Sequence, residues 1–354
     1  MISAPSDDSL DSAMQFANLF PIFVRIGRSR KRYKAGYMNR SGEIIVAAEY
    51  DHAYPFRNGL ASVRQDEKWG ALNDRGELVI APFSSTALEF TEGLAEFSNT
   101  KARFGVIDTT GAVVVQPIWD SISPFSGGLA CVRKGELYGF IDRSGCIVIP
   151  PFFEEARGFS EGLAAVRLNN KWGYIKPDGK TAISSQFICK RGMAGPFREG
   201  LARVARNDRW GYINQVGDFV IEPEFDMALE FSEGFGTIEI NKRQGFVNHG
   251  GERVIPANFL WAQRFSEGLA AVDTGDGQAH RSIKDASRKG FIRPDGSFPF
   301  PPRFFGVGRF QHGLALVETE KELAYIDSEG ATVWASGYVD IGFLDPSHLL
   351  PPEA

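Results

Sequence analysis

One pattern governs this chain. Phe-x-x-Gly-Leu-Ala-x-Val, a short gap, Trp-Gly-Tyr-Ile-Asp-x-x-Gly and then Val-Ile-x-Pro recur nine times in 354 residues. The leading aromatics are Phe20, which opens a weak first copy, and Phe56, Phe90, Phe125, Phe159, Phe197, Phe231, Phe265 and Phe310, mostly 34 to 36 residues apart. A fixed period of this length specifies a tandem repeat architecture, in which each copy is one supersecondary unit that cannot bury its apolar surface alone. Residues present in every copy are needed to build every copy. Function is therefore to be sought where the period breaks.

Spacing within a copy identifies the unit. The Gly of Trp-Gly precedes a turn Gly by six residues in eight copies, from Gly36 and Gly42 to Gly290 and Gly296, and Ala324 and Gly330 keep the register in the ninth. Such constancy means that a tight hairpin sets the pairing. The turn reads Asn73-Asp-Arg-Gly76, Asp108-Thr-Thr-Gly111, Asp142-Arg-Ser-Gly145 and Asp327-Ser-Glu-Gly330. Asp or Asn first and Gly fourth is the pattern of a type I turn followed by a left-handed Gly, with the acid or amide capping the turn amides. These acids read as structural, not as paired catalytic carboxylates. Leu-Ala-x-Val, Trp-Gly-Tyr-Ile and Val-Ile are then three strands. The Pro that ends the third (Pro82, Pro117, Pro150, Pro223, Pro256) cannot donate to a ladder and marks the exit. Each unit is expected to be a three-stranded antiparallel meander. Alternation places Trp172 and Tyr174 on one face and Gly173 and Ile175 on the other. A meander apolar on both faces must be sandwiched between neighbours. The Gly beside Trp is expected to admit a neighbouring backbone or ring at that junction.

Lys68-Trp69-Gly70, Lys171-Trp172-Gly173 and Arg209-Trp210-Gly211-Tyr212-Ile213, with Phe-Ser-Glu-Gly-Leu-Ala intact at Phe159 and Phe265, resemble the WG repeat, also called the KWG Leptospira repeat, of bacterial proteins. The resemblance extends over most of the chain. It implies β-rich tandem arrays of variable copy number that mediate binding, with no established catalytic residue to carry over. Several copies depart from it: Ala35, Phe104, Tyr138, Gln244 and Lys289 replace the Trp, and Phe23-Val24-Arg25 stands where Gly-Leu-Ala belongs. Divergent terminal copies are expected of caps on an open array. The expected fold is therefore all-β: about nine three-stranded antiparallel β-meander repeats over residues 19–335, forming an open, curved, solenoid-like array. A closed β-propeller-like ring is the alternative. Residues 1–18 read as an acidic, Ser-rich tail and residues 336–354 as a C-terminal tail or capping segment.

Composition narrows the function. At 43% apolar residues the chain can bury a core, and a net charge of −5 argues against a nucleic-acid partner. No apolar run is long enough to span a membrane, and the N-terminus lacks the basic and apolar regions of a secretory signal, so a cytoplasmic location is expected. Cys131, Cys146 and Cys189 make no disulfide framework, and the first two read as core residues. His52, His249, His280, His312 and His348 fall at unrelated positions without metal-ligand spacing, and no nucleophile elbow or phosphate loop appears. The sequence thus predicts no enzyme, no metal and no cofactor. It points to a non-enzymatic scaffold for an unidentified protein partner, with a carbohydrate- or cell-wall-binding module as the alternative and a hydrolase on a ring as the third reading.

Candidate contacts come from the breaks. An insertion of 11 residues within 273–288 carries His280, Arg281 and Lys284. A second break, at Lys190 to Gly195, adds about four residues. A basic hairpin between Arg25 and Lys34 carries Arg28, Arg30, Lys31 and Arg32. The recurring Glu of Phe-x-Glu-Gly, as in Glu161, Glu233 and Glu267, either lines one side of the array for a basic partner or caps its own turn. Trp69, Gly70, Trp172, Gly173, Trp210 and Gly211 read as structural positions.

Overall fold

Each copy of the pattern forms one antiparallel sheet. The computed structural model describes residues 19–26, 33–189, 192–275 and 288–336, which hold nine such sheets and no helix. The tail at 1–18 and the segment at 337–354 lie outside the described residues. The sheet that starts the fifth copy is representative: Glu155–Ala156, Ala164–Leu168, Lys171–Ile175 and Thr181–Phe187 pair in chain order. The three expected strands are present, and most sheets gain a fourth. The stretch that precedes the leading Phe, outside the three expected strands, supplies a two-residue inner strand, Ala156 pairing with Val166. The eighth sheet instead lacks its outer strand, because Pro299, Pro301 and Pro302 occupy that stretch and cannot donate to a ladder.

Alternation along the middle strand works as expected: Trp172, Tyr174 and Ile175 are all buried, so both faces are covered by neighbours. The aromatic ring that follows Trp-Gly makes most of the junctions. Tyr174 donates its hydroxyl to Gly195 O at 2.8 Å and meets Phe197, the leading aromatic of the next copy, edge-on at 4.9 Å. Tyr212 repeats this with Leu229 O at 2.6 Å and Phe231 at 4.8 Å. Phe140 with Phe159, Phe246 with Phe265 and Phe291 with Phe310 keep the ring contact without the hydroxyl. Burying one such aromatic stabilises by roughly 1.5–3 kcal/mol, so the junctions carry much of the fold's stability.

The array is closed, not open. Tyr325 of the ninth sheet donates to Pro21 O at 2.9 Å, and its ring lies 5.6 Å from Phe20. Leu314, Leu316 and Leu323 share one core with Ile22, Phe23 and Tyr37. The turn Gly42 of the first sheet rests against Val333 of the ninth, as Gly179 rests against Ile149. These are the contacts of an internal junction. A cap would turn a polar face outward, whereas Phe20 and Ile22 are buried in a core shared with Leu314, Leu316 and Tyr325 of the last sheet. The divergence of the terminal copies adapts them to each other. The molecule is a β-propeller of nine blades, numbered here in chain order, one more than the usual upper count of about eight.

The glycine of Trp-Gly has a different cause from the one expected. In blade 5, Trp172 pairs with Phe187 and Tyr174 with Ile183, so Ser184, Ser185 and Gln186 stand opposite the single Gly173. This bulge presses outer-strand backbone onto the glycine. A Cβ there would lie 2.6 Å from Ile183 O and 2.7 Å from Ser185 N. The close approach comes from the same blade, not from a neighbouring unit. Blade 9 supports this account: Ala324 pairs with Ala335 and Tyr325 with Trp334, no bulge stands between them, and the position carries Ala. Cys146 is a second correction. It is exposed rather than core, because it follows the turn Gly145 at the start of the outer strand, while Cys131 is buried.

Candidate functional site

The Phe-x-Glu-Gly segment is a two-residue hairpin turn at the inner rim. Ser160 and Leu163 exchange backbone hydrogen bonds at 2.9 and 3.1 Å, and Glu161 and Gly162 between them take φ of 51° and 79°. Two consecutive left-handed residues define a type I′ turn, which suits the twist of a hairpin. The Glu carboxylate does not cap its own turn. It reaches across the junction to the same turn of the next blade. Glu161 accepts from Gly200 N–H at 2.9 Å, Glu233 from Glu267 and Gly268 N–H at 2.7 and 2.9 Å, and Glu267 from His312 and Gly313 N–H at 2.5 and 2.7 Å. Glu92 and Glu199 do the same to Gly127 and Gly234. The neighbouring hydroxyl adds a second link, as in Ser160 Oγ to Phe197 O at 2.6 Å. These acids form a chain of inter-blade clasps.

The other sequence candidates separate cleanly. Arg28, Arg30, Lys31, Arg32, His280, Arg281 and Lys284 lie outside the described residues, as do Lys190 and Arg191 of the second break. Trp69, Trp172 and Trp210 are buried together with Gly70, Gly173 and Gly211. The turn acids are caps: Asp108 accepts from Thr110 and Ala112 N–H at 2.9 and 3.0 Å, and the Thr110 hydroxyl, its main partner, holds its carboxyl below the usual range.

Two surfaces emerge that the repeat pattern concealed. The inner rims face a central channel, where a cavity of about 540 Å³ brings together Arg57, Arg198, Arg264 and Arg309 with Glu161 and Glu199 from five blades. The arginines flank the leading Phe, one residue before or after it, at positions where the consensus leaves the residue free. Departures from consensus beside an otherwise fixed Phe were the available signal. Deeper in, Arg203 pairs with Glu230 at 3.0 Å and lies over the Trp210 ring at 5.0 Å. Burial pushes the Glu230 carboxyl up, but Arg203 and then Arg264 outweigh it and hold the group below its ordinary value. Between blades 2 and 3 the balance is reversed. Burial, with Glu89 adding to it, pushes the Glu96 carboxyl up to about 7, and its Oε2 has no hydrogen-bond partner.

The second surface is the outer edge. The outer strands Leu78–Ser84, Val113–Trp119 and Ile147–Phe153 of blades 2 to 4 expose Phe83, Ile118 and Phe152 at one equivalent position, Phe152 at 59%. The same position holds Glu49 in blade 1 and Gln186, Glu224 and Asn258 in blades 5 to 7. Leu78, Val79, Val113, Val114, Ile147 and Val148 add apolar surface on the same strands, as Ile44, Val220 and Val254 do in blades 1, 6 and 7.

The geometry defines the class: a nine-bladed β-propeller held by inter-blade clasps, with an arginine-bearing channel and an apolar sector on its circumference. A family model described as the WG containing repeat matches residues 36–69, 104–138, 138–172, 172–210, 210–243 and 245–276, more than half of the chain, and the chain belongs to that family. Comparison with curated protein sequences finds no match. Among solved structures, a eukaryotic initiation factor is similar at a TM-score of 0.60 and 10% identity, over 90% of this chain and 96% of that one. The computationally designed protein Ika8 is similar at a TM-score of 0.50 and 10% identity, over 82% and 98%. At such identity the likeness is one of fold. No helix among the described residues is long and apolar enough to cross a membrane.

Proposed function

We propose that this protein is a non-enzymatic scaffold that binds a partner protein through the apolar sector of blades 2 to 4. The carrying observation is the run of Phe83, Ile118 and Phe152 on three adjacent outer strands, where blades 1, 5, 6 and 7 carry polar or charged residues. A contiguous exposed apolar patch bounded by polar surface is the usual mark of an interaction site, and these strands also present an unpaired sheet edge. The partner is expected to bring an apolar surface of its own. The consensus indoles, which a carbohydrate module would need at its surface, are buried instead, and this favours the protein-binding reading. The recurring acids act in turns and clasps, which supports a scaffold over a hydrolase. Three free cysteines fit a reducing compartment such as a bacterial cytoplasm.

The test uses Phe83→Ser, Ile118→Ser and Phe152→Ser together. Proteins captured by the wild-type ring are purified and titrated against both forms. At least tenfold weaker binding by the triple variant, with the ring still folded, supports the reading. Equal binding by both forms overturns it, as does turnover of a small molecule by the purified protein. Sedimentation equilibrium distinguishes the remaining occupant: if the patch pairs two copies of this chain, the wild type is a dimer and the variant a monomer, and the partner-protein reading fails.

A further inference from the structure

The junction between blades 4 and 5 lacks the Glu clasp, and a cavity opens beside it. Blades 3, 5, 6, 7 and 8 carry Glu at the third position of Phe-x-Glu-Gly, but blade 4 carries Gly127. Its φ of 61° matches the 51° of Glu161, so the turn is the same and only the side chain is gone. No carboxylate from blade 4 can therefore reach the blade 5 turn at Glu161 and Gly162. At this place the inner rims of blades 3 to 6 enclose about 470 Å³, within the usual range of about 300–1,000 Å³ for small-molecule sites. The cavity shares Arg198 with the channel cavity and adds Arg157, and its described lining contains no acid. Ile122, Phe125 and Phe159 give it an apolar side.

Two polar groups of this lining are buried without a hydrogen-bond partner: Arg157 Nε and Thr91 Oγ1. Buried polar atoms are almost always satisfied, and an orphan calls for an absent partner. With two guanidinium groups, Arg157 and Arg198, and no acid in its described lining, the cavity suits an acceptor that carries negative charge. Burial and then Arg203 lower the Arg157 pKa, and Glu230 and Glu155, which act the other way, do not offset them.

We infer that the cavity between blades 4 and 5 binds a small organic anion: a phosphate or carboxylate held by Arg157 and Arg198, on an apolar body that packs against Phe125 and Phe159. The absence of Glu at position 127 is part of the site. In the other blades named above, a carboxylate at this turn would repel the ligand and occupy the amides beside it.

Titration calorimetry on the full chain tests the assignment, with phenyl phosphate and phenylacetate as probes and benzyl alcohol as the neutral control. Saturable one-to-one binding of at least one anion is expected, with none for benzyl alcohol. The tighter of the two anions identifies the head group. Arg157→Gln should weaken binding at least tenfold. Gly127→Glu is the decisive variant, because a Cβ at 127 meets nothing within 4 Å and the turn already suits Glu. It should keep or raise thermal stability by restoring the clasp while weakening anion binding at least tenfold. Failure of both anions to bind at millimolar concentration overturns the assignment. Equal binding of benzyl alcohol, or unchanged affinity in a folded Gly127→Glu protein, does so as well.

Discussion

Replacing Gly173 with alanine separates two accounts of the recurring glycine. Gly173 does not have a positive φ, so its backbone conformation alone does not demand glycine. By itself the change would stabilise the fold by about 0.4–1 kcal/mol, through the smaller entropy of the unfolded chain. The bulge acts in the opposite direction. A Cβ on residue 173 would lie 2.6 Å from Ile183 O, 2.7 Å from Ser185 N and 2.9 Å from Ser184 C. All three are backbone atoms, which cannot rotate aside as a side chain would. Relief requires the outer strand to shift, and that strains the flanking pairs of Trp172 with Phe187 and Tyr174 with Ile183. Overpacking of this kind costs about 1–3 kcal/mol, so a net loss of about 1–2 kcal/mol remains after the entropic gain. With an m-value near 3 kcal/mol/M, the urea midpoint falls by about 0.3–0.7 M. Asp178→Ala is the control: its carboxylate accepts from Lys180 N–H at 3.0 Å on an exposed turn, and its midpoint should match wild type within error. A Gly173→Ala midpoint at or above wild type refutes the reasoning, since it would mean that the bulge backbone yields without cost.

Closure, clasps and the buried acid give three further expectations. Tyr325→Phe removes the bond to Pro21 O and should cost about 1 kcal/mol; small-angle scattering of the wild type should show a flat disc, and an elongated particle would contradict the closed ring. Glu233→Ala strips two amides of blade 8 of their acceptor and should lower stability by about 1 kcal/mol; an unchanged urea midpoint would reduce the clasp to a packing accident. Glu96 binds its proton more tightly in the folded state, where burial and then Glu89 push it up to about 7. Its contribution is therefore full below the ordinary carboxyl pKa and is lost as pH rises from there to about 7, by as much as about 3 kcal/mol. Midpoints at pH 5 and pH 7.5 should differ more in wild type than in Glu96→Gln, and equal differences would count against the buried acid.

How far the sequence could be read depended on the range of each interaction. The turn caps were legible because Asp108 binds amides two and four residues away, so residue types and spacing already contain the geometry. Burial of both faces was legible from the alternation of Trp172, Gly173, Tyr174 and Ile175, which leaves no polar side to wet. The fourth strand was not, because two residues such as Glu155 and Ala156 carry no periodicity to detect. Nor was the outer edge: Val113 and Val114 look like core residues in the sequence, and only the sheet order places them on the strand with no neighbour beyond it.

Closure and the channel escaped for a more general reason. A repeat shows what all copies share, while both features depend on how copies differ. Closure rests on Phe20, Pro21 and Tyr325, and the hydrogen bond across the seam joins residues 304 apart. Within either terminal copy these residues look like degenerate consensus; only together do they complete a junction. The channel is assembled in the same way, one residue per blade, from Arg57, Arg198, Arg264 and Arg309. Averaging over copies erases each of them, although the ring brings them into a single cavity. Gly127 is the sharpest case. In a nine-fold pattern it reads as one more lost consensus residue, but the ring turns that loss into a missing carboxylate beside two buried, unsatisfied polar groups. In a closed array the departures from the repeat, not the repeat itself, determine where a ligand can be held.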